Sequence, residues 1–168
     1  AELHFDLSVF DLYTALAAGA SLHLVPRSAS LFPANFVSYV EKRRISIWCS
    51  VPSFLSYVAN AGVLRAGRMP SLRAVTFCGE VMPTKTVASW MEAFPGVRFV
   101  NQYGPTETTC ASMYHDVVAR PDDLAVPLPI GRAIPNTEVF AIDEFGQRVV
   151  EPGSIGQLYI RGIGNSVG

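Results

Sequence analysis

The sequence has little charge bias, few cysteines and no long apolar run, and each lack removes a class of function. No stretch approaches the roughly 20 apolar residues needed to span a bilayer. Lys and Arg total 13 against 14 Asp and Glu, so there is no electrostatic footprint for nucleic acid or an anionic membrane. The start, Ala1-Glu2-Leu3-His4, lacks the basic and apolar regions of a secretory signal and reads as the middle of a protein. Cys49, Cys78 and Cys110 have no zinc-type spacing and are odd in number. They are expected to be reduced thiols of a cytoplasmic protein, each acting first as a small buried hydrophobe. His4, His23 and His115 lie far apart and are expected to be structural or exposed, and Lys85, at a helix start, to be solvated. Internal repeats and low-complexity segments are absent as well.

What is present is a chain of 168 residues, 49% hydrophobic, enough for one domain with a sizeable core. Residues 8–18 repeat apolar side chains at helical spacing, with Ser8 as the expected N-cap and Gly19 as the stop. Residues 21–25 read as a short strand. Helical patterns follow at 32–44, at 52–61 with Pro52 in the first turn, and at 84–94. Compact apolar runs at 45–49, 73–77 and 97–101 alternate with them as strands. That alternation implies a largely parallel sheet with flanking helices. The pattern changes near Thr109: residues 111–117, 137–142 and 157–161 read as strands with no helices between them, the start of an antiparallel, barrel-like β unit. The expected division is an α/β part at 1–118 and an incomplete β-rich part at 119–168, with the acidic, proline-rich stretch 121–129 as the hinge.

The stretch with most chemistry is Asn101-Gln102-Tyr103-Gly104-Pro105-Thr106-Glu107-Thr108-Thr109. It follows a predicted strand, and ligands of open parallel sheets sit at the strands' carboxyl ends. Tyr103 offers a ring for a base to stack on, and Asn101 can both donate and accept at a base edge. Gly104 permits close backbone approach, Thr106 brings a hydroxyl for phosphate, and Glu107 a hard oxygen for Mg²⁺. On residue chemistry alone, a polar turn closing a strand fits equally well.

The run Asn101-x-Tyr103-Gly104-Pro105-Thr106-Glu107 resembles the signature of adenylate-forming enzymes, above all the adenylation domains of nonribosomal peptide synthetases. Phe5-Asp6-Leu7-Ser8, Pro129-Ile130-Gly131-Arg132 and Gly156-Gln157-Leu158-Tyr159-Ile160-Arg161-Gly162 resemble three more motifs of that family, in family order and at family-like spacing. The resemblance implies that a carboxylate attacks the α-phosphate of ATP, giving an acyl-adenylate and pyrophosphate. The acyl group then passes to the phosphopantetheine thiol of a carrier protein. It further implies that Tyr103 stacks on adenine, Asn101 and Gln102 border it, Thr106 meets the α-phosphate and Glu107 holds Mg²⁺. The turn Cys78-Gly79-Glu80 would form the opposite wall of the adenine slot.

By the same resemblance Asp6 pairs with the α-ammonium of an amino-acid substrate. A helix-capping or solvated Asp6 is the alternative. Leu7, Phe10, Cys49, Thr76, Cys78, Gln102, Cys110 and Ala111 would surround the substrate side chain, whose lining implies a small or modest group. The cysteines would serve as wall and not as nucleophiles, or Cys49 and Cys110 would simply pack. Phe77-Cys78-Gly79-Glu80-Val81-Met82-Pro83 and Val51-Pro52-Ser53-Phe54 are also similar to D-alanine–carrier-protein ligases, which points to a freestanding ligase as much as to a multimodular one. Three further family parts are expected outside these residues: a phosphate loop before Ala1, a ribose-binding aspartate beyond Gly168, and a catalytic lysine on a small C-terminal domain. The 168 residues alone are therefore expected to be inactive. The competing readings are an acyl- or aryl-acid ligase, against which Asp6 argues, and a noncatalytic nucleotide-binding remnant.

Overall fold

The computed structural model describes residues 3–167. The first residues of the opening stretch and Gly168, the end of the last glycine-rich stretch, lie outside the described residues. Helix α1 (Leu7–Ala17) is followed by a short turn of helix α2 (Arg27–Ser30), helix α3 (Pro33–Lys42), strand β1 (Ile47–Ser50) and helix α4 (Pro52–Asn60). Strand β2 (Ala74–Phe77), helix α5 (Thr84–Ala93) and strand β3 (Arg98–Tyr103) complete the alternating part. After a 3₁₀ turn at Thr106–Thr108 the remaining elements are all strands: β4 (Met113–Val117), β5 (Arg132–Ala133), β6 (Thr137–Ile142) and β7 (Gln157–Gly162).

The main sheet has the order β1-β2-β3-β4-β5. β1, β2 and β3 run parallel, and β4 joins antiparallel to β3. Strands β6 and β7 form a separate antiparallel ribbon in which Phe140 and Tyr159 stack at 5.7 Å. This is the mixed α/β architecture expected from the alternation of patterns, with antiparallel strands added after β3.

Register divides the sheet into two faces, because successive side chains alternate. Trp48, Val75, Phe77, Phe99 and Val117 point to one face, where they meet Phe36, Val37 and Val40 of α3, Leu55 and Val58 of α4, and Val87 and Trp90 of α5. Proline opens both α3 and α4 at the first turn, where its missing N–H costs nothing. The Trp90 indole N–H donates to the Leu55 carbonyl at 3.1 Å, so the largest buried ring has its one polar atom satisfied. Cys49, Thr76 and Val100 are paired in register on the other face.

Two expectations fail. Residues 21–25 form no strand; they are exposed, without regular structure or a β partner among the described residues, and Leu24 instead gives its carbonyl to the Tyr39 hydroxyl at 2.8 Å. An apolar run shorter than a strand's neighbours cannot be told from a coil by pattern alone. Ser8 is not the N-cap of α1. The cap position falls two residues earlier, at Asp6, and the buried Ser8 hydroxyl reaches back to the Leu3 carbonyl at 3.4 Å. At the other end, Ala20 N–H bonds to Ala15 and Gly19 N–H to Leu16, the Schellman closure expected there.

The stretch 121–129 contains no regular element, yet it is fastened to the α/β part. Thr84 Oγ1 donates to the Val126 carbonyl at 2.5 Å, and Leu128 packs against the core. No helix among the described residues is long and apolar enough to cross a membrane.

Candidate functional site

Parallel pairing brings the carboxyl ends of β1, β2 and β3 to one edge of the sheet. The segments leaving those ends are Val51-Pro52, Cys78-Gly79-Glu80 and the nine-residue loop 104–112 between β3 and β4. Helix α1 enters from the side with its first turn directed at the same edge. Between them lies an open cavity of about 220 Å³ lined by Phe5, Asp6, Leu7, Cys78, Gly79, Gly104, Pro105, Thr106 and Cys110. Residues separated by a hundred positions in sequence thus share one small space.

The floor of the cavity is a compact cluster of Leu7, Cys78 and Cys110, against which Phe10, Cys49, Val51 and Ala111 pack. All three thiols are free. Burial pushes the Cys49 and Cys110 thiols up to about 12 and raises Cys78 as well, so all three stay protonated at neutral pH. A protonated thiol is a poor nucleophile. The Cys78 thiol points at the Cys110 carbonyl, 3.7 Å away.

Asp6 lies at the rim of this floor. It occupies the N-cap position with helical backbone angles (φ −61°, ψ −22°), and its side chain makes no capping hydrogen bond. A capping side chain requires an extended residue, so the carboxylate is left to the cavity it lines. Its negative charge is among the causes that raise the Cys78 and Cys110 thiols, after burial.

Thr76 and Gln102 stand on the cavity-side face of the sheet; Gln102 Oε1 is buried without a hydrogen bond in the chain, and Thr76 Oγ1 has only the weakly bonding Cys49 thiol beside it. Buried polar atoms are normally paired, and unpaired ones on this face mark where a ligand's polar groups would be received.

The loop 104–112 is bonded to itself throughout. Ser112 N–H donates to the Tyr103 carbonyl at 2.8 Å, Thr108 and Ser112 share a hydroxyl contact of 2.6 Å, and Thr108 and Thr109 N–H groups close the 3₁₀ turn on Pro105 and Thr106. Gly104 is dictated by space: a Cβ there would lie 2.5 Å from the Cys110 carbonyl and 2.8 Å from Ala111 Cα. Tyr103 ends β3 with its ring partly exposed, and Thr106 and Glu107 lie exposed on the turn beyond it.

The remaining candidates stand away from the cavity. Asn101 is buried on the helix-covered face, and its amide Nδ2 donates to the Pro129 carbonyl at 2.8 Å. The Glu80 carboxylate accepts from Ser53 N–H at 2.8 Å and Ser53 Oγ at 2.9 Å, which caps the start of α4. Glu107 is not a lining residue. Among the described residues, no group of three or more His, Cys, Asp or Glu could hold a metal unaided. A single carboxylate such as Glu107, completed by phosphates and water, is nevertheless a normal environment for Mg²⁺. Phe5 and Pro105 line the cavity although neither was singled out from sequence; each adjoins a residue that was.

The profile of the family described as AMP-binding enzyme matches residues 1–168. Among curated proteins, the L-proline–[L-prolyl-carrier protein] ligase of Streptomyces coelicolor is 40% identical over 166 residues, covering 97% of this chain and 31% of that protein. The D-alanine–D-alanyl carrier protein ligase of Bacillus velezensis is 32% identical over 162 residues, covering 96% of this chain and 32% of its own length. The chain thus spans about a third of the curated relatives it matches. Among solved structures, the Vibrio cholerae adenylation domain AlmE, in complex with glycyl-adenosine-5'-phosphate, superposes with a TM-score of 0.81 at 34% identity, covering 93% of this chain and 29% of that one.

Proposed function

The chain belongs to the AMP-binding enzyme family, and from that premise we propose that it is the central part of an enzyme that activates a small amino acid with ATP and loads it onto a carrier protein. The amino-acid carboxylate attacks the α-phosphate of ATP, forming the aminoacyl-adenylate and releasing pyrophosphate. The carrier's phosphopantetheine thiol then attacks the acyl carbonyl and releases AMP. The relatives named as L-prolyl- and D-alanyl-carrier protein ligases support this reading, as does the glycyl-adenylate in the AlmE complex.

The observation that carries the proposal is Asp6: an uncapped carboxylate on a cavity whose floor is otherwise thiol and apolar. A carboxylate beside low-dielectric walls is a strong partner for an ammonium. The small floor of Leu7, Phe10, Cys49, Cys78, Cys110 and Ala111 suits a modest side chain, with Thr76 and Gln102 as its polar boundary. In this reading Tyr103 stacks on the adenine, and the backbone of Cys78-Gly79-Glu80 and Gly104 walls its slot. Asn101 backs that slot, since the bond to Pro129 uses one of its two amide protons. Thr106 donates to the α-phosphate. Glu107 would hold Mg²⁺, which would supply charge to offset the phosphates. The site of action is the cytoplasm, and the 168 residues by themselves do not adenylate, since they span about a third of the relatives' length.

ATP–pyrophosphate exchange by the full-length enzyme, with L-proline, D-alanine, glycine and simple aryl and acyl acids, tests the proposal. Exchange with a small amino acid, lost in Asp6→Ala, is the expected result. Exchange only with acids lacking an amine would move the protein to the acyl or aryl ligases. No exchange with any of them would leave a noncatalytic nucleotide-binding module.

A further inference from the structure

The loop that carries Thr106 and Glu107 contains two consecutive non-glycine residues with positive φ, Thr109 (φ 59°, ψ 74°) and Cys110 (φ 70°). The first is β-branched, for which the left-handed region is a genuine outlier. The second is the centre of a three-residue turn closed by Ala111 N–H on the Thr109 carbonyl at 2.9 Å, the rarer and strained γ-turn form. Such backbone persists only where its surroundings over-determine it.

The surroundings come from the far end of the chain. Thr109 Oγ1 donates to the Gly164 carbonyl at 2.7 Å, and Ser166 N–H donates to the Glu107 carbonyl at 2.7 Å. A Cβ on Gly164 would sit 2.8 Å from the Thr108 carbonyl oxygen, so the two backbones touch. The segment is itself anchored to the end of β7. Asn165 N–H bonds to the Gly162 carbonyl at 3.2 Å, and the Asn165 amide to the Ile160 carbonyl at 3.1 Å.

We propose that residues 164–166 form a strap from the β6–β7 ribbon that holds the Thr106–Cys110 turn in its strained shape, and that Thr109 is the positioning residue through which the strap acts. The inference deepens the adenylation reading and rests on it for its kinetic consequence. Thr106 and Glu107 face the phosphates only while the turn is held. Cys110, at the other end of the same strained turn, reaches the cavity floor by the same constraint. Residues 164–166 are not among the cavity's lining residues.

The experiment compares Thr109→Val and Thr109→Ser in the full-length enzyme. Thr109→Val keeps the shape and removes the donor; Thr109→Ser keeps the donor. Amide hydrogen exchange of the 104–112 peptide reads the turn directly, and ATP–pyrophosphate exchange reads its consequence. Expected for Thr109→Val are amide exchange faster by about tenfold or more in that peptide and kcat lower by about 10- to 100-fold with KM for the amino acid within about twofold. Thr109→Ser is expected to restore both. Unchanged amide exchange in Thr109→Val would overturn the strap. So would a kcat loss in Thr109→Val that Thr109→Ser shares in full, since the hydroxyl would then not be the agent. If the parent enzyme exchanges pyrophosphate with no substrate, the adenylation reading fails while the amide-exchange arm still decides the strap.

Discussion

On one face of the main sheet, Trp48, Val75, Phe77 and Phe99 are covered by three helices and packed ring against ring: Phe36 to Trp48 at 4.5 Å, Trp48 to Trp90 at 5.3 Å. On the other face, Leu7, Cys78 and Cys110 make a small cluster under an open cavity, with Gln102 beside it carrying an unpaired oxygen and Thr76 a hydroxyl met only by the Cys49 thiol. The strands are the same and alternate between the two environments residue by residue. The helix-covered face is large, apolar and satisfied; the cavity face is small, soft and incompletely satisfied. Stability is concentrated where polar groups are paired, and the proposed ligand site lies where they are not. The comparison can be broken or sharpened by substitution on each side.

The largest effect is expected on the covered face. Trp90→Ala removes a fully buried ring and its hydrogen bond to the Leu55 carbonyl, and should cost about 3–5 kcal/mol of unfolding free energy. Urea denaturation of the full-length protein measures it. A loss no greater than that of Cys78→Ala on the cavity face would show that the two clusters carry equal weight, and the contrast would fall.

The thiols come next, through pH. The folded pKa of Cys49 is raised from 9.0 to about 12 by burial. A raised folded value means that the unfolded chain loses its proton first. The contribution is therefore whole below about 9 and is lost as pH climbs toward about 12. At one pH unit above the unfolded value this amounts to roughly 1.4 kcal/mol for one thiol. Denaturation at neutral and alkaline pH, compared with Cys49→Ala, should show a steeper alkaline decline in the parent. Parallel curves would mean that the thiol titrates alike in both states. The same burial predicts that a disulfide reagent reacts far more slowly with Cys78 and Cys110 in the folded protein than after unfolding.

A smaller effect of opposite sign is expected at Thr76. Replacing it with Val removes a buried hydroxyl that has only the weakly bonding Cys49 thiol beside it, and should stabilise the unliganded protein by up to about 1 kcal/mol. Destabilisation of that size would mean that the Thr76–Cys49 contact is a full hydrogen bond and that the cavity face is as well satisfied as the other.

Legibility in the sequence follows the same divide. Helices α3, α4 and α5 and strands β1, β2 and β3 were readable within a few residues, because each buries one face and the burial imprints a period. Residues 21–25 carried apolar residues with no neighbour to pair with, and pattern cannot supply a neighbour. The Asp6 position was two residues away from the expected cap, Ser8, and only backbone angles could assign it. Periodicity could not have gathered Asp6, Leu7, Cys78, Thr106 and Cys110 into one cavity; the family motifs pointed to them, and the parallel register is what brings them together. The link from Thr109 to Gly164 was legible in neither way, since it joins residues 55 positions apart through a hydroxyl and a carbonyl.

The smallest effect is expected outside both clusters, at the rim of the covered face. The Glu41 carboxylate takes the Arg68 guanidinium through two nitrogens, Nη2 at 2.6 Å, and also accepts Met69 N–H at 3.1 Å, which ties the end of α3 to the turn before β2. The Arg68 hydrogen bond holds the Glu41 carboxyl below its ordinary value of 4.5 despite some burial. A depressed folded value places the contribution above the unfolded pKa, and it drains away as pH falls through the folded one. Glu41→Gln should therefore flatten the acid side of the stability curve slightly and leave neutral stability nearly unchanged, because partly exposed ion pairs are screened by solvent. A loss at neutral pH approaching that of Trp90→Ala would place a main support of the covered face at its charged rim. The apolar core would then no longer account for the difference between the two faces.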